Sequence, residues 1–153
     1  TSTAIRRIRL DLANGTNPGR VEVDFIRLSK PPTLVVQPTS LQYGRHEPDD
    51  LPVPSQQITL TNNGPGVLWF NAVNPIQIAG TNSADFQIVS PVNTEPMYAG
   101  ESRVVEISFN PANVGLKSAN LIIQSGDLAH PTYIIPLSGE LDTSSLVPMW
   151  RLQ

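Results

Sequence analysis

At 153 residues the chain suits one ordinary domain, or one domain with a fragment of a second. Charged residues make up only 15% and hydrophobic residues 39%, and the net charge is -3; disorder normally brings high net charge, so a folded chain with a neutral polar surface is expected. Cysteine is absent, which excludes Cys-based zinc sites, thiol nucleophiles and Fe–S clusters, and no stretch approaches the ~20 apolar residues of a membrane span.

The chain opens on Thr1-Ser2-Thr3, with neither Met nor signal peptide, and reads as a mature or trimmed product, the C-terminal piece of something longer. Residues 1–30 read as a β-hairpin. Ile8, Leu10 and Leu12 alternate with Arg7, Arg9 and Asp11, a turn-forming run from Asn14 to Gly19 follows, and Val21, Val23 and Phe25 alternate with Glu22 and Asp24. Two strands alone are marginal in water, so this hairpin needs something to pack on, preferably a missing N-terminal portion. Its basic residues outnumber its acidic ones six to three, whereas the remainder carries four basic and ten acidic residues. Alternation of the arginines with apolar residues, opposite an acidic strand, reads as cross-strand pairing. An acidic main domain also argues against a nucleic-acid partner.

Pro31-Pro32 is the expected linker. Two prolines offer no amide hydrogens to a ladder and hold the backbone extended. Proline and glycine number 15 and 10 overall, so turns should be frequent and helices few. From 33 to 141 the strands come regularly. Leu34-Val35-Val36 and Leu41-Gln42-Tyr43 form a split first strand, interrupted at Gln37-Pro38-Thr39. Residues 57–62 alternate cleanly and end at Asn63-Gly64-Pro65-Gly66. Further strands are expected at 67–70, 76–78, 85–89, 104–109, 119–124 and 133–137. This spacing predicts an all-β immunoglobulin-like β-sandwich of about seven to nine strands.

Val105, Ile107 and Phe109 share one face, as do Ala119, Leu121 and Ile123; with Ile58, Leu60, Trp69 and Phe86 they should form the core between the sheets. Gly64 and Gly100 are expected at positive φ. Asn110-Pro111 should end a strand, and Pro136 implies that the last strand is an edge or has a gap in its pairing.

Two resemblances rest on these residues. Ile5-Arg6-Arg7-Ile8-Arg9-Leu10-Asp11 and Val21-Glu22-Val23-Asp24-Phe25-Ile26-Arg27-Leu28 resemble the last two strands of a carbohydrate-binding-module-like jelly roll, which makes residues 1–30 the expected C-terminal remnant of such a domain. Some of those modules hold a structural calcium near the last strand, and Asp24 stands at the matching position. A solvent-facing Asp paired with Arg7 or Arg9 is the favoured reading, because calcium takes six to eight oxygens. Residues 33–141 resemble the ASH-type immunoglobulin-like domains of spindle and ciliary proteins, called choice-of-anchor D in bacterial surface proteins. The carrying motifs are Pro38-Thr39-Ser40-Leu41-Gln42-Tyr43-Gly44, Leu60-Thr61-Asn62-Asn63-Gly64, Gly80 through Asp85-Phe86, Ala99-Gly100-Glu101-Ser102, Phe109-Asn110-Pro111, Gly115 and Leu137-Ser138-Gly139. The stretch from His46 to Pro54 departs from that pattern as an acidic, proline-rich insertion.

Nothing in the sequence assembles a catalytic site or a cofactor site, and the chain does not read as an enzyme. There is no Gly-x-Ser-x-Gly elbow, phosphate loop or dinucleotide fingerprint, and the acids are scattered over turns. His46 and His130 lie in separate loops and read as surface residues. Glu47, Asp49 and Asp50 form a weak calcium candidate, with a solvated loop as the default.

Residues 142–153 form a tail after the expected end of the sandwich. Leu146, Val147, Met149, Trp150 and Leu152 are too apolar for a solvated tail; docking in a groove or on a sheet edge, of this chain or a partner, is expected, and folding back over the same domain is equally consistent. The expected role is a non-catalytic structural or protein-interaction module of a secreted, cell-surface or periplasmic protein. It would bind or space a protein partner or larger surface assembly. A carbohydrate-binding accessory region, with a polysaccharide as ligand, is the alternative. An intracellular ciliary or centrosomal scaffold is a second alternative, which the lysine-poor surface disfavours.

Overall fold

The structure, a computed structural model, describes residues 30–70, 72–89 and 92–143. The expected hairpin at 1–30 lies, except for Lys30, outside the described residues, as do Asp24 and the apolar tail residues Leu146, Val147, Met149, Trp150 and Leu152.

Eight strands follow one another along the described chain. They are β1 (Leu34–Gln37), β2 (Leu41–His46), β3 (Gln56–Asn62), β4 (Ile76–Ala79), β5 (Phe86–Ile88), β6 (Ser102–Phe109), β7 (Gly115–Gln124) and β8 (Thr132–Leu141). They form two four-stranded sheets, ordered β1-β3-β6-β5 and β2-β8-β7-β4. The expected immunoglobulin-like β-sandwich is what the chain builds. The split first strand does what its interruption implies: β1 pairs antiparallel with β3 in one sheet, and β2 crosses over to pair parallel with β8 in the other.

Alternation along each strand sets the core. Val105, Ile107 and Phe109 of β6 face Leu121 and Ile123 of β7 across the layer, and Ile58, Leu60, Ile135 and Leu137 complete it, each almost fully buried. Burying side chains of this size stabilises by ~1.5–3 kcal/mol each, before conformational entropy is set against it. Tyr43, Phe86 and Phe109 close one end with ring centroids 4.9–5.9 Å apart. Gly139 sits inside β8 because a Cβ there would meet the Phe109 ring at 2.6 Å.

Four expectations need correction. Trp69 is 56% exposed and Leu68 takes the core position instead. Residues 67–70 make no strand, only an isolated bridge between Leu68 and Met97, so the alternation that would have placed Trp69 inward starts one residue off. Gly64 lacks the positive φ found at Gly100 (+82°); it is required because a Cβ would lie 2.4 Å from the Thr33 nitrogen. β8 extends to Leu141, well past the expected 137. Pro136 lies in an inner strand, between β2 and β7. There the expected gap exists: pairing with β2 begins only at Leu137, and ladder alternation turns the proline nitrogen away from β7.

Candidate interaction surface

Chain entry is fixed by Asn62, the fully buried last residue of β3. Its Oδ1 accepts from the Thr33 and Gly64 amides, each at 3.2 Å, and its Nδ2 donates to the Gly66 and Met97 carbonyls at 2.7 and 2.9 Å. One amide side chain therefore holds the entering strand, the turn after β3 and the bridge before β6. The Asn63 amide donates to the Thr33 carbonyl and the Gly66 amide to the Pro31 carbonyl. A Cβ on Gly66 would stand 2.0 Å from the Lys30 carbonyl, so the double proline lies directly against the turn.

Beside that entry, Asp127 closes the outer edge of β1. It is only 2% exposed; Oδ2 accepts from the Leu34 amide at 2.9 Å and Oδ1 from the Ala129 and His130 amides at 2.9 and 3.3 Å. The Tyr133 hydroxyl donates to the Leu34 carbonyl. Register makes the point plain. Because Thr33 and Asn63 form a hydrogen-bonded pair, Leu34 turns both its peptide groups away from β3, and the loop between β7 and β8 receives both. Burial alone would push the Asp127 carboxyl upward, but the three amides and the nearby His130 outweigh it and hold the group below the usual carboxylate value. Burial, with the Asp127 charge behind it, pushes the Tyr133 phenol upward.

The outer edge of β2 is closed similarly. The Gln42 carbonyl accepts from Gln56 Nε2 at 2.9 Å, the His46 ring nitrogen Nε2 lies 2.7 Å from the Tyr43 carbonyl, and Arg45 pairs with Asp142. Tyr43 donates its hydroxyl to the Ile107 carbonyl at 2.5 Å, bridging the sheets. Burial pushes that phenol up to about 12; the Gln56 amide works against the rise and the Glu106 carboxylate adds to it.

The opposite side differs. Among the described residues β4 and β5 are the remaining edges of the two sheets, and their residues, Ile76-Gln77-Ile78-Ala79 and Phe86-Gln87-Ile88, include no charge and no proline. Gln124 donates to the Pro75 carbonyl, which fixes the ladder so that Ile76 and Ile78 present their peptide groups outward. The same reasoning, from Val89 donating to the Glu106 carbonyl, turns Ile88 outward on β5. Between the two edges run two open depressions that meet at Ile88, one with Ile78, Ala84 and Phe86 beside Ser83 and Gln87, the other with Val73, Ile76 and Val92 beside Asn74 and Thr94, so that the groove they make is lined by apolar and polar groups alike.

The other candidates are not brought together here. Glu47, Asp49 and Asp50 sit on one 3-10 turn beyond β2, where Asp50 Oδ2 accepts from the Glu47 amide at 3.0 Å, so that carboxylate serves its own turn. Among the described residues no group of three or more His, Asp or Glu is arranged to hold a metal ion. Lys117 and Asp85 meet at 3.9 Å, both nearly buried, and Asp85 also receives the Ala112 amide; this ties the loop after β6 to β5. No helix among the described residues is long and apolar enough to cross a membrane. Nothing in the local sequence singles out Asp127, whose partner Leu34 is 93 positions away. The uncharged edge strands do leave a signal, once the topology says which strands are edges.

No protein-family model matches the chain, and no curated protein matches it in sequence. Among solved structures it is similar to a Porphyromonas gingivalis W83 protein of unknown function, with 19% identity over 76% of this chain and 50% of that one and a TM-score of 0.56. The chain thus spans about half the length of that protein. It is also similar to the ASH/PapD-like domain of human CEP192, with 17% identity over 84% of this chain and 97% of that domain and a TM-score of 0.51. At these identities the likeness concerns the fold alone, an immunoglobulin-like sandwich.

Proposed function

We propose that the chain is a non-catalytic interaction and spacing module of a secreted or cell-envelope protein. It would hold the preceding segment at a fixed exit through Pro31, Pro32 and Asn62 and bind an extended partner segment along β4 and β5. The observation that carries this reading is the contrast between its edges. Proteins cover or charge the edges they do not use, because an open edge templates strand addition. Among the described residues, outward groups of Leu34, Gln42 and Tyr43 on one side are met by side chains, and the other side offers outward peptide groups beside an open groove. Main-chain pairing supplies affinity in such a site, and alternate side chains supply selectivity.

The test compares the full chain with the double variant Gln77→Lys, Gln87→Lys, which charges both open edges at exposed positions. Capture of protein from an envelope extract by the parent, lost in the variant, is expected. Equal capture by both would remove the flank from the account. The carbohydrate-binding alternative draws on Trp69 and Tyr98, exposed aromatic rings that flank the Leu68–Met97 bridge. Retention on a glycan array that Trp69→Ala abolishes would favour it. An intracellular scaffold draws on the shared sandwich fold alone.

A further inference from the structure

We propose that β4 is where a second copy of this chain pairs, edge to edge and antiparallel about a twofold axis through Gln77. This rests on the reading of the β4/β5 flank as the binding edge and names its partner.

Register comes first. The Gln124 amide donates to the Pro75 carbonyl, so the peptide groups of Pro75, Gln77 and Ala79 face β7 and those of Ile76 and Ile78 face outward. Two outward residues with one inward residue between them are what a twofold pairing needs. Ile76 of one copy stands opposite Ile78 of the other, and each such pair exchanges both main-chain bonds. Gln77 then stands opposite its own equivalent on the axis. Pro75 does not interrupt this ladder. Its nitrogen, which has no hydrogen to give, lies with its carbonyl on the β7 side.

Chemistry agrees with register. A twofold axis sets the central side chain against its own image, so a charge there would repel itself, and edge lysines block association in this way. β4 carries no charge, and its central side chain is an exposed glutamine. A primary amide both donates and accepts, so Gln77 can bond to its own image where a lysine or a glutamate could not. The half-buried side chains of Ile76 and Ile78 come together as β-branched cross-strand pairs. β5 has the same alternation but a different neighbourhood. The row beside Gln77 continues to Ile122 and Ile134, the latter 63% exposed, whereas the row beside Gln87 continues to Ser108. A strand added at β4 lengthens an apolar row, and one added at β5 a polar one. With four residues a side, the contact belongs to the small, transient class.

The chain has no cysteine, so a single introduced cysteine reports contact between copies without background. Across the axis the two Gln77 Cα atoms would stand ~4.5 Å apart, within disulfide reach. Full chains carrying Gln77→Cys, Gln87→Cys or, on the covered side, Gln42→Cys are oxidised mildly at equal concentration. Gln77→Cys is expected to form the disulfide dimer at least tenfold faster than either control. Sedimentation of the parent should show a reversible, concentration-dependent dimer that Gln77→Lys abolishes. Three results overturn the assignment: equal linking of the three variants, fastest linking at Gln87→Cys, which would put the contact on β5, or a parent that stays monomeric. If the parent stays monomeric while Gln77→Lys, Gln87→Lys still abolishes capture, the second copy fails as the partner and the flank keeps its role for another.

Discussion

The two long sides of this sandwich are finished in opposite ways. Along β1 and β2 the outward polar groups of Leu34, Gln42 and Tyr43 are met by Asp127, Tyr133, Gln56 and His46, and a surface ion pair joins Arg45 to Asp142. Along β4 and β5 the outward groups of Ile76, Ile78 and Ile88 lie beside an open groove of mixed lining, with no charge on either strand. Covering an edge costs buried polar chemistry that must be fully satisfied. Among the described residues this is done on the β1 and β2 side, which supports the proposal that the other side admits a strand. Substitutions on the covered side should therefore cost stability, and substitutions on the open side should cost binding.

The largest effect is expected at the chain entry. Asn62→Ala orphans the buried Gly64 amide and frees Thr33, Gly66 and Met97 from their shared partner. At ~1–3 kcal/mol for each orphaned buried group, the midpoint of thermal unfolding should fall by on the order of 10 °C. A change within 2 °C in circular dichroism melts would mean the entering strand is held otherwise.

Next is Asp127→Asn, which places an NH2 group against the Leu34 amide, donor facing donor, at a cost of about 2 kcal/mol. This substitution also sharpens the comparison through pH. The folded carboxyl titrates below its unfolded value of ~3.9, so its contribution is fully present above about pH 4 and is lost as pH falls through the folded value. Urea midpoints of the parent should drop across that window more steeply than those of the variant. Parallel curves would remove Asp127 from the covering of β1.

Tyr43→Phe should cost about 1 kcal/mol by removing the hydroxyl's hydrogen bond to the Ile107 carbonyl. With the folded phenol pushed up to about 12 against ~10 unfolded, its contribution is present below pH 10 and is lost as pH rises between the two values. The variant should lose less stability over that interval than the parent, with a remainder from Tyr133, whose phenol is also raised. The smallest effect on stability belongs to the open side. Gln77→Lys with Gln87→Lys should change unfolding free energy by less than ~0.5 kcal/mol while removing capture. A large loss of stability there would break the contrast between the two sides.

Strand positions and most of the core were legible because period-two alternation is a local property. Ile107 with Phe109 and Leu121 with Ile123 declare their inward face within a few residues of sequence. The exchange of Leu68 for Trp69 shows the limit, since a one-residue shift reverses every side chain and an isolated bridge carries no alternation to read. Gly64 was expected for a positive φ it does not have and Gly139 stood only in a resemblance motif; the reason for both is the close approach of Thr33 and Phe109, which only the folded chain brings near. The covering of β1 joins residues 93 and 99 positions apart, and no local pattern encodes it. The open groove was hidden for a related reason: Ile76-Gln77-Ile78 and Phe86-Gln87-Ile88 read as ordinary strands until topology makes both of them edges.

Site-resolved amide hydrogen exchange on the full chain tests the difference between the sides most directly. The Leu34 amide should exchange slowly and those of Ile76 and Ile78 much faster. Fast exchange at Leu34, or Ile76 and Ile78 amides as slow as that of Leu34, would contradict the account.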